Sequence, residues 1–189
     1  RRYTDMPLLV RLVKKDGRYV PERLLRASDF DDALAQENNP DWKTIGIDET
    51  TGNPVVPTGS IGFRWGEQGK WNLEEKTADG GDVKLRVGLK GAHDDIAEVL
   101  FPYFANSASN GFASTDHPDT LMRRIPVKRL KLKDGETLVA SVYDLFLANY
   151  GVDQGFGGDL ILKNTATTEI YTPAWAEKVT TVPREQVIA

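Results

Sequence analysis

An Asp-Gly pair standing between two runs of apolar residues leaves a chain few options, and this 189-residue sequence places such pairs at Asp16-Gly17 and Asp134-Gly135. Glycine accepts the positive φ of a tight turn without steric cost, so the runs on either side are led back along each other as antiparallel strands. At the first pair, Leu8-Leu9-Val10 with Leu12-Val13 precede the turn and Tyr19-Val20 with Leu24-Leu25 follow it. At the second, Ile125 to Leu132 and Thr137 to Val142 alternate apolar and polar residues, which makes this the clearest hairpin of the chain. Two further hairpins are expected. Lys43 to Ile47 pairs with Pro54 to Val56 across residues 49–53, and Ile61 to Trp65 pairs with Lys70 to Leu73 across Gly66-Glu67-Gln68-Gly69, with Trp65 and Trp71 flanking the turn as a structural aromatic pair.

The remaining pattern supplies short helices rather than crossovers. Ser28 or Asp29 can cap a helix through Phe30, Ala33 and Leu34 that Asn38, Asn39 and Pro40 terminate. His93 to Phe104 reads as a helix with Asp94 and Asp95 in its first turn and Pro102 as its breaker. Val142 to Tyr150 reads as a helix stopped by Gly151, and Thr172-Pro173 opens another with threonine as cap and proline at the first helical position. Pro183 and Glu185 suit the start of one more. Val83, Leu85, Val87 and Leu89 alternate with polar residues as a half-buried strand, while residues 77–81, 106–119 and 155–158 read as loops. With no parallel βαβ rhythm, the fold class is α+β: antiparallel β-hairpins with several short helices.

Composition excludes several kinds of chemistry. A hydrophobic content of 40% with 28% charged residues is that of an ordinary globular chain long enough to bury one core. No apolar run approaches bilayer length, so direct membrane insertion is not expected, and the net charge of −4 argues against nucleic acid. The basic run Arg123, Arg124, Lys128, Arg129, Lys131 and Lys133 alternates with apolar residues as the wet face of a strand does. Cysteine is absent, which removes thiol nucleophiles and thiolate-held clusters, and His93 and His117 lack ligand spacing. Asp29 with Asp31 and Asp32, Asp48 with Glu49, and Asp94 with Asp95 and Glu98 are carboxylate groups placed at helix starts or turns, where capping and solvation explain them. Gly155-Phe156-Gly157-Gly158 lacks the Lys-Ser/Thr of a phosphate loop, and no Gly-x-Ser-x-Gly string occurs. On this reading the chain contains no catalytic residue and no metal ligand, and its cofactor-binding residues are unassigned.

Longer strings carry a resemblance. Arg1-Arg2-Tyr3-Thr4-Asp5-Met6-Pro7, Gln36-Glu37-Asn38-Asn39-Pro40-Asp41-Trp42-Lys43-Thr44, Gly59-Ser60-Ile61-Gly62-Phe63-Arg64-Trp65-Gly66-Glu67-Gln68-Gly69-Lys70-Trp71 and Tyr171-Thr172-Pro173-Ala174-Trp175-Ala176-Glu177 resemble, in this order, the alpha or catalytic subunit of respiratory nitrate reductases. The resemblance covers nearly the whole chain. It implies an internal piece of a large molybdopterin oxidoreductase that reduces nitrate to nitrite with electrons passed from quinol through an iron–sulfur subunit. The implied parent cofactors are molybdenum on two molybdopterin guanine dinucleotides and one iron–sulfur cluster, whose ligands lie upstream in the family, so none is implied here. The implied partners are the remainder of the alpha subunit, the iron–sulfur beta subunit and the membrane gamma subunit, with the complex on the cytoplasmic face of a membrane. Residues 1–189 form one segment, mostly an elaboration on the shared scaffold, and residues 171–189 begin a helical region that simpler molybdopterin enzymes share.

Both ends of the chain read as cut. An insertion of that kind would leave and rejoin its scaffold close together, with Pro7 and Tyr171 within about 25 Å and with Leu8, Leu9, Val187 and Ile188 exposed for the parent to cover. The contrasting expectation is an independent β-rich binding module in which Trp42, Trp65, Trp71 and Trp175 supply an aromatic ligand platform.

Overall fold

Strands β1 (Leu9–Lys15) and β2 (Arg18–Leu24) close on Asp16 at φ 52° and Gly17 at φ 81°, the two positive values that a two-residue hairpin of this twist requires. The computed structural model in which this is seen describes residues 4–36, 39–56, 81–102, 120–159, 161 and 172–188. Pairing runs from Lys15 against Arg18 to Val10 against Leu24. Between Val10 and Leu12 the partner strand advances one residue more than β1 does, a bulge that increases the local twist. The second expected hairpin is also present as β6 (Thr120–Leu132) and β7 (Gly135–Ser141). Its turn sits one residue earlier than Asp134-Gly135, because Lys133 and Asp134 bridge the strands and Gly135, at φ 121°, opens β7.

Between these lie β3 (Gly46–Ile47) and β4 (Pro54–Val55), paired as expected, and β5 (Asp95–Pro102). The strands β1-β2-β5-β6-β7 follow one another, in that order, around a closed barrel, and β3-β4 forms a separate two-stranded sheet. β1 is flanked by β2 on one side and β7 on the other, with Leu9 opposite Ser141 and Leu12 opposite Leu138. Closure removes the unpaired edges that would otherwise invite pairing with another chain.

Three expectations are corrected. Residues 93–104 do not form a helix, since 95–102 is β5. Ala97, Val99 and Phe101 are buried and Glu98 is exposed, a period of two that outweighs the acidic start, and Pro102 falls on the strand's last residue, where a missing N–H is tolerated. No α-helix follows Ser28. The stretch makes separate 3₁₀ turns at Ala27–Asp29, Ala33–Ala35 and Pro40–Trp42, and Ala33, Leu34 and Ala35 all take positive φ. The cause is local: three successive residues in the left-handed region cannot continue a right-handed helix, and the bond from the Leu34 N–H to Asp32 holds a turn that competes with one. In residues 83–89 Val83, Leu85 and Leu89 are buried as expected, but Val87 is half-buried like Arg86 and Gly88, and the stretch makes no regular strand. Leu85 meets Asp48 as a single bridge.

Helices α1 (Val142–Asn149), α2 (Pro173–Thr180) and α3 (Arg184–Ile188) lie where the sequence places them. Gly151, at φ 71°, ends α1: its N–H reaches Ala148 O and that of Val152 reaches Leu147 O, the bond pair of a Schellman cap. Thr172 accepts from the Trp175 N–H and Pro173 opens α2. The Trp65/Trp71 hairpin, the loop 106–119 and Tyr171 lie outside the described residues.

The chain divides into two compact units, Arg1–Ile96 with Pro126–Leu145, and Ala97–Ile125 with Phe146–Ala189. The first is built on Leu9, Leu25, Ile45, Ile47, Leu89, Leu132 and Val139. The second buries Val99, Leu121, Ile125, Ala148 and Ala174. Leu9, expected at an exposed end, is fully buried because β1 has a neighbour on each side and its inward residue faces the core. Leu8 is partly buried, and Val187 and Ile188 are exposed.

Two glycines separate strain from space. Gly17 has φ 81° and open space where a Cβ would stand, whereas at Gly158, φ 130°, a Cβ would lie 2.8 Å from both Arg123 Cα and Met122 O. In urea unfolding, Gly17→Ala is expected to cost about 1 kcal/mol and Gly158→Ala about 3 kcal/mol or more, because only the second adds backbone overlap to the strained φ. Equal losses would show that the approach of residues 122–123 and 158 does not matter.

Candidate functional site

The three acidic groups marked in the sequence are each engaged by neighbours. Asp29 accepts two bonds from Arg23, at 2.6 and 2.8 Å, and one from the Arg26 N–H at 2.8 Å. Burial alone would raise its pKa, but these bonds together hold it below the ordinary aspartate range. Asp48 ties its own turn by accepting from the Thr51 hydroxyl and from the N–H groups of Thr50, Thr51 and Lys84. These bonds outweigh desolvation and lower its pKa as well, while Glu49 pairs with Lys84 at 3.0 Å. Asp94 accepts from the Arg129 N–H, Asp95 pairs with the Arg129 guanidinium, and Glu98 with Arg124 at 2.9 Å. All are turn ties or exposed ion pairs, and exposed pairs stabilise little.

Most of the basic run is exposed as expected, but Lys128 is half-buried and Arg123 lies on the same strand face as the buried Ile125 and Val127. Arg124, Arg129, Lys131 and Lys133 are exposed, but Arg123 is 1% exposed and its Nε donates to Ala148 O at 3.2 Å. Its guanidinium therefore ties strand to helix inside the second unit. Lys43 is likewise buried, donating to Gln36 Oε1 at 2.8 Å, and burial lowers its pKa.

Sequence reading missed Asp144, the most enclosed carboxylate described, which is 0% exposed at the start of α1. The Ser141 hydroxyl donates to its Oδ2 at 2.7 Å and accepts from the Asp144 N–H at 3.0 Å, while the Leu89 N–H donates to Oδ2 at 2.7 Å. Ser141-Val142-Tyr143-Asp144 ahead of an apolar run is a serine–acid helix-start pattern and was the available signal. Close packing accompanies it: a Cβ on Gly88 would stand 2.9 Å from the Tyr143 ring. Burial pushes the Asp144 pKa up, against the opposing pull of Ser141, Leu89 and His93.

A groove of about 420 Å³ runs along the first unit between Arg11, Leu12, Lys14, Tyr19, Arg129 and Glu136. Its guanidiniums are already engaged, Arg11 by Asp134 and Arg129 by Asp95 and Glu136, and Lys14 lies 5.2 Å from the Tyr19 ring centroid. The groove offers polar contact but pairs no nucleophile with a base. Among the described residues no three His, Cys, Asp or Glu side chains are grouped to hold a metal ion. Trp42 is exposed and Trp175 partly buried, so these two do not share one kind of surface.

No protein-family model matches the chain. Its sequence is 50% identical over 190 residues to the respiratory nitrate reductase 1 alpha chain of Escherichia coli K12, and 52% identical over 189 residues to the respiratory nitrate reductase 2 alpha chain of the same organism. It is 35% identical over 189 residues to the nitrate reductase alpha chain of Bacillus subtilis 168. These matches take in 99 to 100% of this chain and 14 to 15% of each relative. The chain thus spans about one seventh of the curated relatives it matches.

Asp144 carries a signed pH prediction. The folded state holds its proton to higher pH than the unfolded chain does, so its contribution is full below the unfolded-state pKa and is lost as pH rises through the raised folded value. Asp144→Asn keeps an acceptor and cannot ionise, so denaturation curves should show wild type losing stability relative to the variant as pH rises toward neutrality. Parallel curves would contradict this. Asp144→Ala strands the Leu89 N–H and should cost about 1–3 kcal/mol throughout.

Proposed function

Because the chain belongs to the alpha-chain family of respiratory nitrate reductases, we propose that it serves as a structural segment, built around a five-stranded barrel, of the subunit that reduces nitrate to nitrite. The observation that carries the reading is where its ionisable groups are spent. Asp29, Asp48 and Asp144 tie turns and a helix start, and Arg123 anchors strand to helix, which is the use of charge in a framework rather than in a reaction centre.

In this proposal molybdenum held by two molybdopterin guanine dinucleotides performs the reduction, on ligands outside this chain, and one iron–sulfur cluster belongs to the parent subunit. Among the described residues no three His, Cys, Asp or Glu side chains are grouped to hold a metal ion, and no step is routed through either group here. Electrons reach the parent from quinol through an iron–sulfur beta subunit and a membrane gamma subunit, on the cytoplasmic face. No described helix is long and apolar enough to cross a membrane, which suits a segment that meets the membrane only through partners. Residues 171–189 begin the helical region common to simpler molybdopterin enzymes, and most of the preceding chain elaborates on that scaffold.

The test has two arms. Purified residues 1–189 should contain no stoichiometric molybdenum and show no nitrate reduction with an artificial electron donor, and turnover above blank would overturn the reading. In the full-length subunit Val139→Ala, which opens the barrel wall at a fully buried position, should lower the yield of assembled enzyme while leaving turnover per bound molybdenum unchanged. A fall in turnover per molybdenum at normal yield would instead place this segment in the chemistry.

A further inference from the structure

Helix α1 is apolar on two opposite faces. Leu145 and Ala148 are turned into the protein, while Phe146 and Tyr150, four residues apart and therefore on one face, are 46% and 41% exposed with ring centroids 4.9 Å apart. Val152, just past the Gly151 cap, is 40% exposed beside them in sequence. The only charged residue of the helix, Asp144, is fully buried, so the outward face carries no charge at all. A short helix with apolar residues on its outward face as well as its inward one is the pattern of a helix covered on both, since solvent-facing helices put charged and polar residues outward.

We infer that Phe146, Tyr150 and Val152 form a docking surface for a stretch of the same alpha-chain polypeptide lying outside residues 1–189. This rests on the proposed role as a segment of the nitrate reductase alpha chain. The length of that chain supplies the occupant: this sequence makes up only 15% of its relatives, so most of the polypeptide lies elsewhere and is covalently joined to this surface. A tethered stretch meets the surface at a high effective concentration and outcompetes a separate subunit of similar affinity. The uncharged, aromatic character of the face selects an apolar counterpart, whose contact removes both rings from water.

The experiment uses the assembled full-length enzyme. A photo-crosslinking phenylalanine analogue, p-benzoylphenylalanine, replaces Phe146, and the same analogue at exposed Lys131 serves as control. After irradiation, peptide mapping should join position 146 to a peptide of the alpha chain outside this segment. A cross-link confined to residues 1–189, one to another subunit, or none at 146 would overturn the inference. Should that variant fail to accumulate, hydroxyl-radical labelling of the unmodified enzyme decides: Phe146 and Tyr150 should be labelled several-fold more slowly than solvent-exposed aromatic residues, and labelling at the exposed rate would overturn the inference. Neither result depends on catalysis, so loss of the functional reading is seen separately, as an assembled parent enzyme that fails to reduce nitrate.

Discussion

The first unit depends on satisfying the backbone at the start of β1. Within four residues, Met6 O accepts from the Tyr143 N–H, Leu8 O from the Val142 N–H, and Leu9 O from the Leu25 N–H, while the Leu9 N–H donates to Ile45 O, each at 2.8 to 3.0 Å. These bonds draw the end of β2, the approach to β3 and the start of α1 onto one stretch of chain. A buried peptide group without a partner costs more than a made bond contributes, so this stretch is worth burying only if all of those elements arrive together. The cooperativity of the unit follows from that condition more than from any single side chain.

The Ser141–Asp144–Leu89 bonds extend the same logic to the side chains. At the junction of β7 and α1 a strand must become a helix in one residue, leaving helix N–H groups to satisfy in an apolar surrounding. The Ser141 oxygen takes the Asp144 N–H, and the carboxylate takes the Leu89 N–H from a separate stretch, so the cap also fixes the loop before β5. The arrangement holds a carboxylate where its charge is disfavoured. Its opposite is seen at Asp29 and Asp48, whose bonds favour the charged form. Acidic residues here act as structural ties of two kinds, distinguished by the balance between burial and the number of hydrogen bonds each carboxylate accepts.

The candidate site was legible mainly through its residue types. The lack of cysteine and the position of the acidic groups at turns pointed toward caps and ion pairs. Asp144 escaped notice because a Ser-x-x-Asp string looks the same whether it caps an exposed helix or a buried one. Arg123 escaped because it was grouped with the basic run, although the period of two puts it on the face of Ile125 and Val127, which is buried. Both depend on elements distant in sequence, Leu89 for one and Ala148 for the other.

Local chemistry alone set the features whose cause lies within a few residues: the Asp16-Gly17 hairpin, the β6–β7 pairing, the Gly151 stop and the Thr172-Pro173 start. Each turns on a φ value or a capping bond that neighbouring residues supply. Packing between distant parts of the chain settled the rest. Residues 93–104 begin with the acidic pair of a helix, yet burial of Ala97, Val99 and Phe101 draws them into a strand. Short-range signals near Ser28 favoured a helix that side-chain bonds broke into separate turns. Closure of β1-β2-β5-β6-β7 into a barrel was likewise beyond local reading. The pairing of distant strands is chosen by the surface they bury together and the backbone groups they satisfy, and neither quantity exists until the chain has folded.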